Sequence, residues 1–306
     1  MKNKILPLLA VLLSAAPLAA DRIITVDSNP ANVAMYHDFQ AAYDAAEDGD
    51  TLLVQGTFGG YDIYKRLTIK SERNWSADFN QLRLRRDTAI GSSSGTKLLG
   101  LRIDYLDVQS GLSDIEIRRC YARAGWDFYS PALLRSIYHE GAFGQEVVFH
   151  GGSSGSVLLN SRINILELGT TNIVVDQCYV WRLFNGHSNT TVSNTIFRIS
   201  DANFSANGTA FSHCIAVGED FLPSGSGNQN NVTNDELWVL GSTYTLAENS
   251  VAKSASSTGG DIGETGGLFP YTLEVGMPRV LNLTAPGVAT DTTGLPFTVE
   301  ARAYPQ

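Results

Sequence analysis

Short runs in which apolar and polar residues alternate recur along most of this chain, and some of them repeat as matched pairs. Arg102-Ile103-Asp104-Tyr105-Leu106-Asp107-Val108 is followed by Asp114-Ile115-Glu116-Ile117-Arg118-Arg119-Cys120-Tyr121. Further on, Arg162-Ile163-Asn164-Ile165-Leu166-Glu167-Leu168 is followed by Asn172-Ile173-Val174-Val175-Asp176-Gln177-Cys178-Tyr179, with Arg, Ile, Leu, Cys and Tyr at matched places. The second half of this motif returns at Asn189-Thr190-Thr191-Val192-Ser193-Asn194-Thr195 and at Gly208-Thr209-Ala210-Phe211-Ser212-His213-Cys214. A period of two sends successive side chains to opposite faces of a strand. Stacking the rows gives four inward columns: Ile115, Ile173, Thr190 and Thr209; Ile117, Val175, Val192 and Phe211; Cys120, Cys178, Thr195 and Cys214; and Ala122, Val180, Phe197 and Ala216. The step into the cysteine column breaks the alternation, so the chain must bend there. Rows starting at 172, 189 and 208 are too closely spaced for a βαβ unit of about 30 residues. They suit single turns of a β-solenoid. The predicted fold class is all-β: a right-handed parallel β-helix with a short N-terminal capping helix and a small C-terminal β ribbon.

The capping helix is expected just before the repeats. Asp38 can cap it, Phe39, Ala42, Tyr43 and Ala46 recur at helical spacing, and Gly49 is a natural C′ residue. Thr51-Leu52-Leu53-Val54 then reads as a buried strand, so the helix would cover the open end of the first coil. The solenoid is expected from about Thr51 to about Ser242, with Gly218 to Asn234 as a long loop. Residues 250–267 are polar and glycine-rich, and Arg279 to Leu283 and Phe297 to Ala303 look like strands of a closing ribbon. The expected organisation is 1–20 export signal, 21–50 N-terminal strand and capping helix, 51–245 β-helix, and 246–306 C-terminal tail and ribbon.

The signal reading rests on Lys2 and Lys4, the apolar stretch Ile5 to Leu13 and the small residues Ser14 to Ala20. An uncleaved anchor is the alternative. Export implies a secreted, periplasmic or cell-surface protein, and no later stretch is long and apolar enough to span a membrane. A net charge of −9 and a pI near 5.0 argue against nucleic acid as a partner. The odd number of cysteines does not imply a disulfide framework. Their shared inward column favours packing as free thiols over a bridge or a metal site, and no C-x2-C pair exists.

Ile24-Thr25-Val26-Asp27, then Phe39 to Ala46 and Gly49-Asp50-Thr51-Leu52-Leu53-Val54, resembles the opening of secreted bacterial β-helix proteins of the pectate-lyase-like superfamily. The rows at 172 and 189 look like their Asn-Ile-x-Val-x-x-Cys coil repeat. Asp261-Ile262-Gly263 with Gly266-Gly267 is similar to the tail of many such solenoids, notably Bacteroidetes-like ones. The resemblance implies the fold. It implies no single activity, because that superfamily holds lyases, hydrolases, epimerases and adhesins. The adjacent aspartates of polygalacturonase-like hydrolases are missing, and Gly186-His187-Ser188 matches their Gly-His-Gly only superficially. No cofactor is expected. Calcium, which the resemblance would imply for a lyase, finds no ligand cluster, since Asp176 stands alone on its coil with Ser193 and Ser212 above it.

Between the inward columns lie outward ones: Arg118, Asp176, Ser193 and Ser212, and Arg123, Trp181, Arg198 and Val217. Arg123, Asp176, Trp181 and Arg198 are the candidate substrate-binding residues, because guanidinium forks suit carboxylates and an indole suits a sugar ring. The competing reading is a solvated flank whose tryptophan packs under a loop. Trp126-Asp127-Phe128-Tyr129 and Tyr138-His139-Glu140 fall where the repeat is interrupted. They are expected in a loop that either rims a groove or staples itself to the coil. His187 and His213 read as turn or structural residues. The expected function is association with an extracellular polysaccharide, binding or processing an acidic glycan as lyase, hydrolase or binder. The alternative is a structural or adhesive surface protein. The catalytic residues are not legible.

Overall fold

The computed structural model describes residues 22–73, 75–142, 144–185, 189–200, 208–239, 245–267, 279–284 and 298–302, of which 199–200, 279–284 and 298–302 are described as backbone only. The expected export signal and His187 lie outside the described residues.

The alternating runs form strands that pair in parallel with the coils before and after them, giving a solenoid of about 9 turns. One ladder runs through Ile23–Asp27, the start of Thr51–Ile63, then Thr68–Ser71, Lys97–Leu99, Ile115–Arg118, Ala132–Arg135, Val157–Leu159, Val174–Asp176, Thr191–Ser193 and Ala210–Ser212. The second runs through the end of Thr51–Ile63, then Ala77–Leu84, Arg102–Val108, two broken rungs, Arg162–Leu168, Tyr179–Phe184, Ile196–Ser200, Ile215–Val217 and Gln229–Val232. The broken rungs are Tyr121–Ala122 with Trp126–Phe128, and Tyr138–His139 with Val147–Phe149.

The proposed inward columns are real. Ile117, Val175, Val192 and Phe211 share one register with Leu98, Leu134 and Leu158, and all are buried. Each fully buried side chain of this kind stabilises by about 1.5–3 kcal/mol. The bend before the cysteine column has a backbone cause. At the corner after the first ladder, Gly100, Arg119, Ser136, Asn160, Gln177, Asn194 and His213 all take a positive φ, between 44° and 68°. That left-handed step turns the next residue inward, so Leu101, Cys120, Ile137, Ser161, Cys178, Thr195 and Cys214 are all buried. The three cysteines are free thiols. Burial pushes Cys120 and Cys214 up to about 12 and raises Cys178 as well.

The helix α1 spans Phe39–Ala45, with the Asp38 carboxylate accepting from the Ala41 N–H at 2.8 Å. Phe39 is fully buried among Tyr61, Phe79 and Phe58, so α1 seals the end of the core as expected. Its C-cap is Ala46 rather than a motif ending at Gly49. Lys65 Nζ donates to the carbonyls of Tyr43 and Ala46 at 2.7 and 2.8 Å, satisfying the helix end that a glycine cap would otherwise satisfy. Parallel pairing begins at Ile23–Asp27, one rung before Thr51.

The expected interruption at Trp126 to Tyr129 and Tyr138 to Glu140 is instead two further coils, each with a split rung on the second ladder. Trp126 and Phe128 are fully buried core residues, and His139 points inward between Ala122 and Ile163. Within the expected loop 218–234, Gln229–Val232 forms a further rung against Ile215–Val217. Residues 250–267 cross the corner column. Gly266 O accepts from Asn160 Nδ2 at 2.8 Å, Ser257 N donates to Asn194 Oδ1 at 2.8 Å, and Gly263 N donates to Asn194 O at 2.9 Å. Arg279–Thr284 and Thr298–Arg302 pair antiparallel as the C-terminal ribbon.

Candidate functional site

Two outward columns run along the second ladder just past the corner. The first is Arg102, Tyr121, Tyr138, Arg162, Tyr179, Ile196 and Ile215, in direct register. The second, two residues on, is Asp104, Arg123, Glu140, Asn164, Trp181, Arg198 and Val217. Strand alternation makes both columns face away from the core. Where the coils change from tyrosine to arginine to tyrosine they leave a cleft of about 360 Å³, lined by Tyr138, Glu140, Arg162, Asn164, Tyr179 and Trp181.

Each wall is fixed by a specific contact. Arg162 Nη1 lies 3.0 Å from Glu264 Oε1, a pair in which both side chains are buried, and its guanidinium sits 4.3 Å from the centre of the Tyr179 ring. Burial raises the Glu264 carboxyl above its ordinary value, against the pull of Arg162. The tail thus holds the Arg162 wall in place through a residue 102 positions from its partner. Glu140 accepts a hydrogen bond from the Tyr121 hydroxyl. Burial, and then that bond, push Tyr121 up to about 12. Asn164 Nδ2 donates to Gly141 O at 2.8 Å, which anchors Gly141 beside the cleft. At the opposite end Tyr138 stacks on Tyr121, and Trp75 meets both rings at a tilt.

The four candidate binding residues do not converge. Trp181 and Arg198 occupy adjacent coils, with the guanidinium 4.2 Å from the indole centre. Trp181 also packs against the tail cluster containing Leu237, Trp238 and Ile262, so it is both cleft wall and packing residue. Val217, at the end of that column, is buried under the same cluster. Arg123 stands three coil steps from Trp181, roughly 14 Å at the usual strand spacing. There it pairs with Asp78 at 2.8 Å and with Asp104. Asp176 lies on the other ladder, where its Oδ1 accepts from Ser193 Oγ at 2.7 Å and Asn194 Nδ2 at 2.8 Å.

Arg162, Asn164, Tyr179 and Glu264 escaped the sequence reading. Tyr179 and Arg162 were legible in principle, since both follow the cysteine-column positions Cys178 and Ser161 by one residue. Glu264 carries no local signal. His150 was also missed: its Nε2 lies 2.8 Å from Asp127 Oδ1 and its ring stacks on Tyr129 at 4.1 Å.

Chemically, the cleft offers a carboxylate, an amide, phenols, an indole and a tethered guanidinium within a few coils. That set can bond the hydroxyls of a sugar and cover its apolar face. Among the described residues, no group of three or more His, Cys, Asp or Glu side chains is placed to hold a metal ion. No protein-family model matches the chain, and no curated protein matches it in sequence.

Proposed function

We propose that the chain is an exported polysaccharide-associated β-solenoid that holds an acidic glycan in the Tyr138–Trp181 cleft, working at the cell surface, in the periplasm or outside the cell. The observation that carries this reading is the convergence of Glu140, Asn164, Tyr138, Tyr179 and Trp181 on consecutive coils around one opening. Trp181 with Arg198 is the part that favours a uronate: the indole supplies the stacking face, and the guanidinium supplies the charge for a carboxylate. The likeness of the coil repeat to the pectate-lyase-like superfamily supports a polysaccharide over a small metabolite.

A second reading, a stiff structural or adhesive spacer, is favoured by the tied state of several charges, notably Arg162 on Glu264 and Arg123 on Asp78 and Asp104. The two separate by incubating the purified chain with polygalacturonate, alginate and uncharged dextran, with and without calcium. Binding is read by calorimetry and turnover by absorbance of unsaturated products and by reducing ends. The glycan reading expects binding to a uronate polymer and none to dextran. No binding to any uronate polymer would overturn it and leave the spacer.

A further inference from the structure

The capping helix α1 is only 7 residues long and leaves part of the capped end open. In the register of the buried Leu82 and Leu106, the first coil carries Tyr61. Its ring packs on Phe39 with 4.5 Å between centres, yet the residue stays half-buried. Beside it lies a second cleft of about 500 Å³, lined by Gln40, Asp44, Gly60, Tyr61, Tyr64 and Ile90 among others. That volume falls within the roughly 300–1,000 Å³ of small-molecule sites. It shares no lining residue with the Tyr138–Trp181 cleft.

The floor of this cleft is open for want of a side chain. The strand Thr51–Ile63 holds Gly59 and Gly60 side by side, although glycine weakens a strand interior. Neither takes a positive φ, so the backbone does not require glycine there. A Cβ on Gly59 would meet nothing within 4 Å, and one on Gly60 would come no closer than 3.4 Å to Gln81. Crowding does not require glycine either. On the next two coils the same column carries Gln81 and Tyr105. A glycine with neither reason marks a place where another molecule approaches the strand closely. Ile90 adds an apolar edge. It lies between the paired segments Arg86–Asp87 and Gly91–Ser92, lines the cleft, and is 65 % exposed rather than part of the core.

The charges at this cleft are committed within the protein. Lys65, the one cation among the described lining residues, donates to the carbonyls of Tyr43, Asp44 and Ala46 at 2.7, 3.2 and 2.8 Å. Those three bonds use all the protons of its ammonium. Asp62 is held by Arg83 at 2.7 Å and by Arg85 at 3.3 Å. Asp44, which Gln40 Nε2 meets at 2.8 Å, keeps acceptor capacity on its carboxylate. An anionic sugar therefore finds no uncommitted cation among these residues. Hydroxyl groups find acceptors, and an apolar ring face finds Tyr61, Tyr64 and Ile90.

We propose that this cleft is a second carbohydrate site, which takes the flat face of an uncharged β-linked sugar chain. A β-linked glucose or xylose chain is an extended ribbon that presents its ring faces ready-made. Dextran has an extra rotatable bond in each linkage, so ordering it against the cleft costs more conformational entropy. The site rests on residues other than those of the acidic-glycan cleft, and neither reading depends on the other.

The test is calorimetric titration of the full chain with cellohexaose, xylohexaose, dextran and polygalacturonate, repeated for Gly60→Val, Tyr64→Ala and Ile90→Ser. At least one hexaose should bind the wild type, and whichever does so names the sugar. Dextran should not bind. Gly60→Val fills the floor and should weaken hexaose binding at least tenfold. It should melt at or above the wild-type temperature, because a β-branched residue suits a strand. Tyr64→Ala should weaken binding about tenfold, in keeping with the loss of a stacking face. Should Gly60→Val melt lower, Ile90→Ser decides, since its exposed side chain contributes little to the core and its loss should still weaken binding. Absence of binding by both hexaoses, equal binding by wild type and the variants, or dextran binding as tightly as a hexaose overturns the site. Polygalacturonate titrated into the same samples reports on the other cleft, so the two readings fail separately.

Discussion

His139 occupies an inward position that the coils on either side give to Ala122 and Ile163. Its Nε2 lies 2.9 Å from Gln145 O, so that nitrogen carries the proton and the ring holds the Gln145 backbone from inside. Burial lowers its pKa from 6.5 to about 4, only partly offset by that bond and by Glu146 and Glu140. The folded state therefore keeps the ring neutral where the unfolded chain takes up a proton. This contribution is complete above pH 6.5 and is lost as pH falls toward 4, a swing of about 3 kcal/mol. Urea denaturation of wild type and His139→Leu at pH 7 and pH 4 checks it. The variant should lose less stability on acidification, and equal losses would refute the assignment. Arg162 and Glu264 behave differently. Removing the carboxylate strands a buried cation, so Glu264→Ala should cost about 3–5 kcal/mol in the same assay at pH 7.

At the scale of single elements, the corner is the recurrent device. Each left-handed residue turns one side chain inward, and at Asn160 and Asn194 the side-chain amide also reaches the tail. Asn194 does both: Oδ1 takes Ser257 N, and Nδ2 reaches Asp176 and Ser257 Oγ. Asn194→Ala should destabilise by about 2–3 kcal/mol through the lost bonds and the left-handed strain. It should also speed proteolysis within 250–267, and an unchanged cleavage rate would mean that the tail is held elsewhere. The corner is legible where its residue falls in a row that repeats, as at Gln177-Cys178 and Asn194-Thr195. The coils at Ala132–Arg135 and Val157–Leu159 went unread because their rows depart from that repeat. Ile137 and Ser161 replace cysteine there, and inward His139 breaks the apolar alternation that defines a strand. The cleft was half legible for the same reason. Trp181 and Arg198 fall on readable rows, whereas Glu140 was read as part of a loop and Glu264 reaches the site only through the folded tail.

Across the whole molecule, a solenoid core is a stack of rungs in which each coil buries the next, so its ends govern its stability. Phe39→Ala opens the capped end and should cost about 3–5 kcal/mol, read as a lower melting temperature. The cysteine column gives a second check on intact stacking. The 3 thiols should stay unreactive toward a thiol reagent in buffer and react together in denaturant, and early labelling of Cys214 alone would show fraying from the C-terminal end. The stack also sets the spacing of the outer face, where an extended glycan would meet one side chain per coil. The most direct measurement of that claim is the affinity for polygalacturonate of the wild type, Trp181→Ala and Arg123→Ala. A cleft centred on Trp181 predicts about a tenfold loss for Trp181→Ala, in keeping with removal of a stacking wall, and near-wild-type affinity for Arg123→Ala. Unchanged affinity in Trp181→Ala, with or without a loss in Arg123→Ala, would contradict it.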